Sequence, residues 1–122
     1  MDNMGDLSQH FSRVEFRCHC HDDCGFDTVD VALLSALEQI RKHFGKPIAI
    51  SSAARCKKMN KKAGGSPKSQ HLLGRAADIA VKDTAPEAVQ EFADTILPDS
   101  GVGSYNMFTH IDTRRGRARW NG

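Results

Sequence analysis

Apolar residues recur at helical spacing over Val29, Leu33, Leu34, Leu37, Ile40 and Phe44, one face of a 3.6-residue period. The pattern predicts a helix over residues 29–44, started by Asp27 or Thr28 and stopped by Gly45 and Pro47. Ala88, Val89, Phe92, Ala93 and Ile96 make a second amphipathic stretch that stops at Pro98. Thr84-Ala85-Pro86-Glu87 fits a capping box at its start, with Pro near the first turn, and Ser12-Arg13-Val14-Glu15 fits another before a short helical turn. Four short β-branched or apolar runs predict strands: residues 47–52, Ala76 to Val81, Gly101 to Tyr105, and Phe108 to Asp112, the last two joined by a turn at Asn106. Residues 18–27 read as an irregular loop, and residues 56–68 as a loop with one helical turn. Helices and strands mix without βαβ regularity. The expectation is an α+β fold with a small, mostly antiparallel sheet and flanking helices.

Size and composition narrow the class. At 122 residues, with no repeat, low-complexity tract or linker, residues 1–122 read as a single domain, expected to be a monomer. No run approaches the ~20 apolar residues of a membrane span. A net charge of +2 gives no case for nucleic-acid binding. The charge is uneven, however. Lys57, Lys58, Lys61, Lys62 and Lys68 cluster mid-chain, and Arg114, Arg115, Arg117 and Arg119 crowd the end. These are solvated faces, or contacts for an anionic polymer or a substrate carboxylate. The start, Met1-Asp2-Asn3-Met4-Gly5-Asp6, lacks the basic and apolar regions of a secretory signal. A substrate outside the cytoplasm would need another route of delivery.

Candidate chemistry lies in two places. His71 and Asp78 stand seven apart with Gly74, Ala76 and Ala77 between them, and His110 follows in a later apolar run. Imidazole and carboxylate suit zinc, and three protein ligands leave a fourth position open, as in catalytic sites. Gly74 lets the chain turn into the strand, and Ala76 shares a strand face with Asp78, leaving room for the carboxylate. His110 and Asp112 share a face as well. The second place is Cys18-His19-Cys20-His21-Asp22-Asp23-Cys24, with Cys56 further on. A second, structural zinc on Cys18, Cys20, Cys24 and Cys56, a disulfide, and free thiols are all compatible with that spacing. His10 and His43 read as surface residues.

Ser69-x-His71-x-x-Gly74-x-Ala76-x-Asp78 followed by His110-x-Asp112 resembles the zinc peptidases of the D-Ala-D-Ala carboxypeptidase type, whose superfamily includes phage endolysins, murein endopeptidases and the hedgehog signalling domain. The resemblance extends to residues 7–16 with their Cys-rich sequel, to Ile50-Ser51-Ser52 leading to Arg55-Cys56, to residues 64–71 and to Arg119-Trp120, and so to nearly the whole chain. It implies a hedgehog/DD-peptidase-like fold, His71, Asp78 and His110 as zinc ligands, and Arg55 as a cation near the substrate or its developing oxyanion. It also implies that Ser69 and Gln70 support the site by hydrogen bonding.

One departure concerns the proton. Many relatives carry Glu or Asp three residues before the last His, where it acts as general base; here that residue is Met107. Some relatives put His two before the last ligand, and here it is Phe108. Asp112 either takes the proton or orients His110. Asp83 and Asp99 are further carboxylates of unknown placement.

The resemblance implies zinc-assisted hydrolysis of an amide in peptidoglycan stem peptides or cross-links, as a carboxypeptidase or an endopeptidase. The alternatives are a catalytically impaired, zinc-containing cell-wall binding or virion-associated module, and a virion component in which metal only stabilises the fold. The missing signal fits an enzyme that reaches the wall through phage- or lysis-mediated release, or on a virion.

Overall fold

The computed structural model describes residues 5–20 and 24–122. His21, Asp22 and Asp23 of the Cys-rich motif, and the first four residues of the acidic start, lie outside the described residues. Three α-helices, α1 (Val31–Phe44), α2 (Lys57–Lys62) and α3 (Pro86–Ile96), accompany five strands, β1 (Ile48–Ser52), β2 (Ala76–Val81), β3 (Gly101–Ser104), β4 (Thr109–Asp112) and β5 (Ala118–Asn121). Single 3-10 turns lie at Arg13–Phe16 and Gln70–Leu73. The strands form one sheet in the order β1-β2-β4-β3-β5. Every pairing is antiparallel except β3 with β5, so the α+β expectation holds with a mixed, mostly antiparallel sheet.

The two faces of the sheet do different jobs. Ala77, Ile79 and Val81 of β2, Val102 of β3 and Ile111 of β4 are buried on one face. They pack with Leu33, Ala36, Leu37 and Ile40 of α1 and Val89 and Ala93 of α3 in a single core that Phe11 and Phe16 extend. Each large apolar side chain buried here contributes about 1.5–3 kcal/mol. The helical stripes read from the sequence are therefore core. Because side chains alternate across a strand, the intervening residues Asp78, His110 and Asp112 fall on the opposite face, away from α1 and α3.

Pairing turns that face into rows. Ser52 lies opposite Asp78, Asp78 opposite His110, His110 opposite Gly103, and Gly103 opposite Trp120. The next row runs Ala76, Asp112, Gly101, Ala118. A bulge between Ile50 and Ser52 shifts β1 so that Ser52, rather than Ser51, meets Asp78. The two glycines of β3 leave space for their neighbours. A Cβ on Gly101 would run into the Asp112 carboxylate oxygens, and one on Gly103 would lie 2.5 Å from the Trp120 ring.

The helix starts differ from the capping rules. Asp30, not Asp27 or Thr28, is the N-cap of α1, and its side chain makes no cap bond. Its Oδ2 instead accepts from the Thr113 hydroxyl at 2.8 Å, tying the helix to the exit of β4. The Thr84–Glu87 box does not form either. Ala85 is the N-cap of α3, Pro86 is the first helical residue, and Thr84 donates to the Lys82 carbonyl. Proline's fixed φ sets the start there without side-chain help. At the Arg13–Phe16 turn, the Ser12 N–H does donate to Glu15 Oε2 at 2.7 Å. The strand β5 has no signal in the sequence, since Ala118-Arg119-Trp120-Asn121 carries no period-two apolar pattern. It forms by adding in parallel to the edge of β3. His43 is exposed, as expected, and stacks on Phe92 at 3.8 Å; His10 is half-buried and bonds Glu38 at 2.6 Å.

Candidate metal centre and its cleft

Three segments converge on the open face of the sheet. His71 comes from the Gln70–Leu73 turn, which Ser69 caps by accepting the His71 N–H on its Oγ at 3.2 Å. Gly74 ends that turn in the left-handed region at φ 68° and sends the chain into β2. Asp78 and His110 are paired positions on β2 and β4. All three side chains are buried, and their ligand atoms lie within 4.8 Å of one another. His71 Nε2 is 3.3 Å and His110 Nδ1 is 3.0 Å from Asp78 Oδ1. Ligands about 2.0–2.2 Å from a tetrahedral metal stand roughly 3.4 Å apart, so the set closes around an ion with small adjustment.

The partners of each ring decide which nitrogen faces that point. His71 Nδ1 lies 2.6 Å from the Ala53 carbonyl. A carbonyl only accepts, so Nδ1 carries hydrogen and Nε2 presents its lone pair to the centre. His110 Nε2 lies 2.8 Å from Asp112 Oδ2, which leaves Nδ1 for the centre. Histidine ligands are commonly oriented in this way by a carbonyl or carboxylate on the far nitrogen.

Asp112 is fully buried and heavily engaged. Its Oδ1 accepts from Arg114 N at 3.1 Å and Nε at 2.9 Å. Its Oδ2 accepts from Arg114 Nη2 at 2.7 Å as well as facing His110. Burial alone would raise the Asp112 carboxyl, but the bonds from His110 and Arg114 outweigh it and hold it well below the usual carboxylate range. For Asp78, burial is likewise overcome by His110 and His71, and its carboxyl is held low. Burial pulls His110 down, yet the flanking Asp112 and Asp78 leave its pKa raised.

The centre forms part of an open cleft of about 460 Å³ lined by residues of β2, β4, β5 and the 63–71 segment. Arg55 lines it, donating from Nη2 to Asp78 Oδ2 at 3.3 Å, from Nε to Ser52 and from Nη1 to Asn60. A guanidinium has five N–H groups, so two remain for a ligand. Arg114 lines it too, with its guanidinium 5.1 Å from the Trp120 ring centre. The Trp120 ring sits 5.0 Å from that of His110, an approach that Gly103 permits. Tyr105 stacks on Phe108 and accepts the Trp120 indole N–H at 2.9 Å, leaving its own hydroxyl hydrogen available in the cleft. Gln70 lines the cleft with Oε1 buried and without a hydrogen-bond partner among the described residues.

Asp78 is the one carboxylate lining the cleft among the described residues. Met107 is exposed in the β3–β4 turn beside a separate small apolar pocket. Asp83 and Asp99 are exposed and do not line the cleft. The Peptidase M15 family model matches residues 9–112.

The chain belongs to the Peptidase M15 family.

No curated protein matches it. Membership in the zinc D-Ala-D-Ala carboxypeptidase-type family makes the chain a metallopeptidase by descent, zinc-dependent as the family is. The donor set of this M15 peptidase fits that ion: two imidazole nitrogens, each ring held from its far nitrogen by a carbonyl or a carboxylate, and one ionised carboxylate. The three residues that the sequence offers as ligands come together, and Arg55, Ser69 and Gln70 line the cleft beside them; Tyr105, Phe108 and Arg114 complete its walls. Tyr105 carried no motif signal, and Arg114 was legible only as part of a basic run. Its position two beyond Asp112 was the available hint.

Proposed function

We propose that this M15 peptidase hydrolyses an amide bond in peptidoglycan, either at the end of a stem peptide or in a cross-link. The observation that carries the reading is the placing of His71, Asp78 and His110 in a cleft with cationic walls. Stem peptides expose carboxylates, and the free N–H groups of Arg55 suit them as a bidentate partner. Lys57, Lys61, Lys62 and Lys68 are exposed on α2 and on the segment after it, whose Ala63, Gly64, Gly65 and Ser66 line the cleft. When bound, zinc supplies Lewis acidity and makes water nucleophilic near neutral pH. The protein's residues do the rest. Ser69 and the Ala53 carbonyl fix His71, Asp112 fixes His110, and Arg114 holds Asp112 in place. With all its acceptor sites engaged and no access to solvent, Asp112 acts as a positioning residue rather than as the proton carrier. Tyr105 lines the same cleft, and its hydroxyl hydrogen is open to a substrate acceptor.

In this reading the protein is made in the cytoplasm, acts on the cell wall after phage- or lysis-mediated release or on a virion, and works as a monomer. A second reading, a wall-binding module without turnover, is favoured by Met107 standing where many relatives carry the acid. Incubating zinc-loaded protein with cell-wall sacculi and reading products by mass spectrometry separates the two. Muropeptides that disappear with chelator and with His71→Ala support hydrolysis. Retention on sacculi without cleavage supports the binding module.

A further inference from the structure

We propose that Cys18, Cys20, Cys24 and Cys56 hold a second zinc ion, closed to substrate, that fastens the N-terminal loop to the wall of the catalytic cleft. The four sulfur atoms lie within 4.8 Å of one another although one of them is 32 residues beyond the nearest of the others. Cys18 Sγ and Cys56 Sγ are 3.7 Å apart. A disulfide needs about 2.05 Å. Four sulfurs each about 2.3 Å from a tetrahedral zinc stand roughly 3.8 Å from one another, so the observed spacing is that of a coordination shell. All four cysteines are thiols in the structure.

The backbone around the cluster is arranged for thiolates. Each sulfur accepts one main-chain N–H: Cys18 from Cys56 at 3.3 Å, Cys20 from Cys24 at 3.5 Å, Cys24 from Phe26 at 3.5 Å and Cys56 from Met59 at 3.4 Å. A neutral thiol is a weak acceptor, whereas thiolates bound to a metal gain from such donors, which spread their charge. Four thiolates and one dication leave a charge of −2, and Arg17, Lys57 and Lys58 adjoin the ligands in sequence. Four protein ligands fill the shell, which marks a structural ion. The His71–Asp78–His110 set, with three, keeps a position open. Soft thiolates in tetrahedral array select zinc over magnesium or calcium.

The position explains what the ion would do. Between the Arg13–Phe16 turn and α1, the described residues form no helix or strand. The loop is closed by the bond from Cys18 N to the Phe26 carbonyl, and Ala54 N donates to the Phe16 carbonyl beside it. Cys56 directly follows Arg55, whose own N–H donates to the His71 carbonyl. A tetrathiolate centre therefore cross-links the loop to the segment that presents Arg55 to the cleft. An unliganded loop of this length has little apolar burial to hold it, and structural zinc commonly supplies that folding energy.

The test uses His71→Ala protein, in which the other centre is disabled, together with the wild type. Loaded with Co²⁺, His71→Ala protein is expected to show an intense near-ultraviolet thiolate-to-cobalt charge-transfer band and strong visible bands of tetrahedral cobalt. Zinc addition is expected to bleach both. Zinc-loaded wild type is expected to carry two metal equivalents by elemental analysis, and Cys18→Ser/Cys56→Ser protein one, still held by the histidine centre. Zinc is also expected to protect the four thiols from a thiol-reactive dye. A cobalt spectrum without thiolate bands, or thiols that react equally fast with and without zinc, overturns the proposal. So does a pair of disulfides found by mass spectrometry in freshly purified protein. The cobalt and dye measurements need no cysteine variant, so misfolding of the double mutant does not blunt the test.

Discussion

Replacing Asp112 by Asn tests whether this residue orients His110 or moves the proton. Both carboxylate oxygens face donors: Arg114 N and Nε on Oδ1, Arg114 Nη2 and His110 Nε2 on Oδ2. An amide has one oxygen. With its NH₂ in the Oδ2 position, it opposes Arg114 Nη2 at 2.7 Å; flipped, it opposes Arg114 N and Nε. Either orientation sets donor against donor in a site with no solvent access, which costs about 1–3 kcal/mol. In the first orientation the amide also favours the wrong His110 tautomer, placing hydrogen on the nitrogen that faces Asp78. Loss of such a partner lowers metal affinity about 10–100-fold, or about 1.4–2.7 kcal/mol. The expected outcome for Asp112→Asn is thus a folded protein, less stable by about 2 kcal/mol, with zinc affinity reduced by that factor. Chelator competition measures the affinity at the histidine centre, and denaturant melts measure the stability. Unchanged affinity with turnover abolished would refute the argument and make Asp112 the proton carrier.

Zinc binding at the histidine centre is expected to weaken as pH falls. The raised pKa of His110 means that the metal-free protein keeps a proton there above the usual ~6.5. That proton's stabilising effect is complete below the unfolded value and is lost as pH rises through the folded one. Zinc must displace it, so calorimetry in buffers of different ionisation enthalpy should register proton release near neutral pH; a buffer-independent heat would contradict this. Gly103→Ala places a Cβ 2.5 Å from the Trp120 ring, so it should destabilise by about 1–3 kcal/mol and shift the emission of the only tryptophan. Arg119→Lys should also destabilise, by about 1–3 kcal/mol. The guanidinium donates to the Ser100, Ala118 and Leu97 carbonyls and to Asp94, a fork that an ammonium cannot reproduce, and thermal melts would show the loss.

The basic clusters read from the sequence divide between structure and site. Lys57, Lys61 and Lys62 lie on α2, of which only the C-cap Ala63 lines the cleft, whereas Arg114 lines it directly. Arg117 and Arg119 instead pair with Asp94 of α3. Composition counted these charges alike, because only the sheet decides which of them faces the substrate wall.

The linear sequence determined the parts of this protein that depend on local periodicity and residue chemistry. The helical spacing of Leu33, Leu37 and Ile40 requires a buried face, the period-two placing of Ala76 and Asp78 puts them on one side of a strand, and imidazole with carboxylate has few uses as suited to it as a metal. Tertiary structure decided the rest. Asp112 has the same residue type whether it carries a proton or positions a ring, and only the fold shows that Arg114 occupies its carboxylate and that burial isolates it. The strand β5 exists only because β3 offers an edge. Gly101 and Gly103 matter through what stands opposite them, Asp112 and Trp120. Cysteine spacing alone left thiols, a disulfide and a metal equally open. Convergence of four sulfurs, each with its own N–H donor, is a property of folded backbone geometry and cannot be carried by sequence spacing.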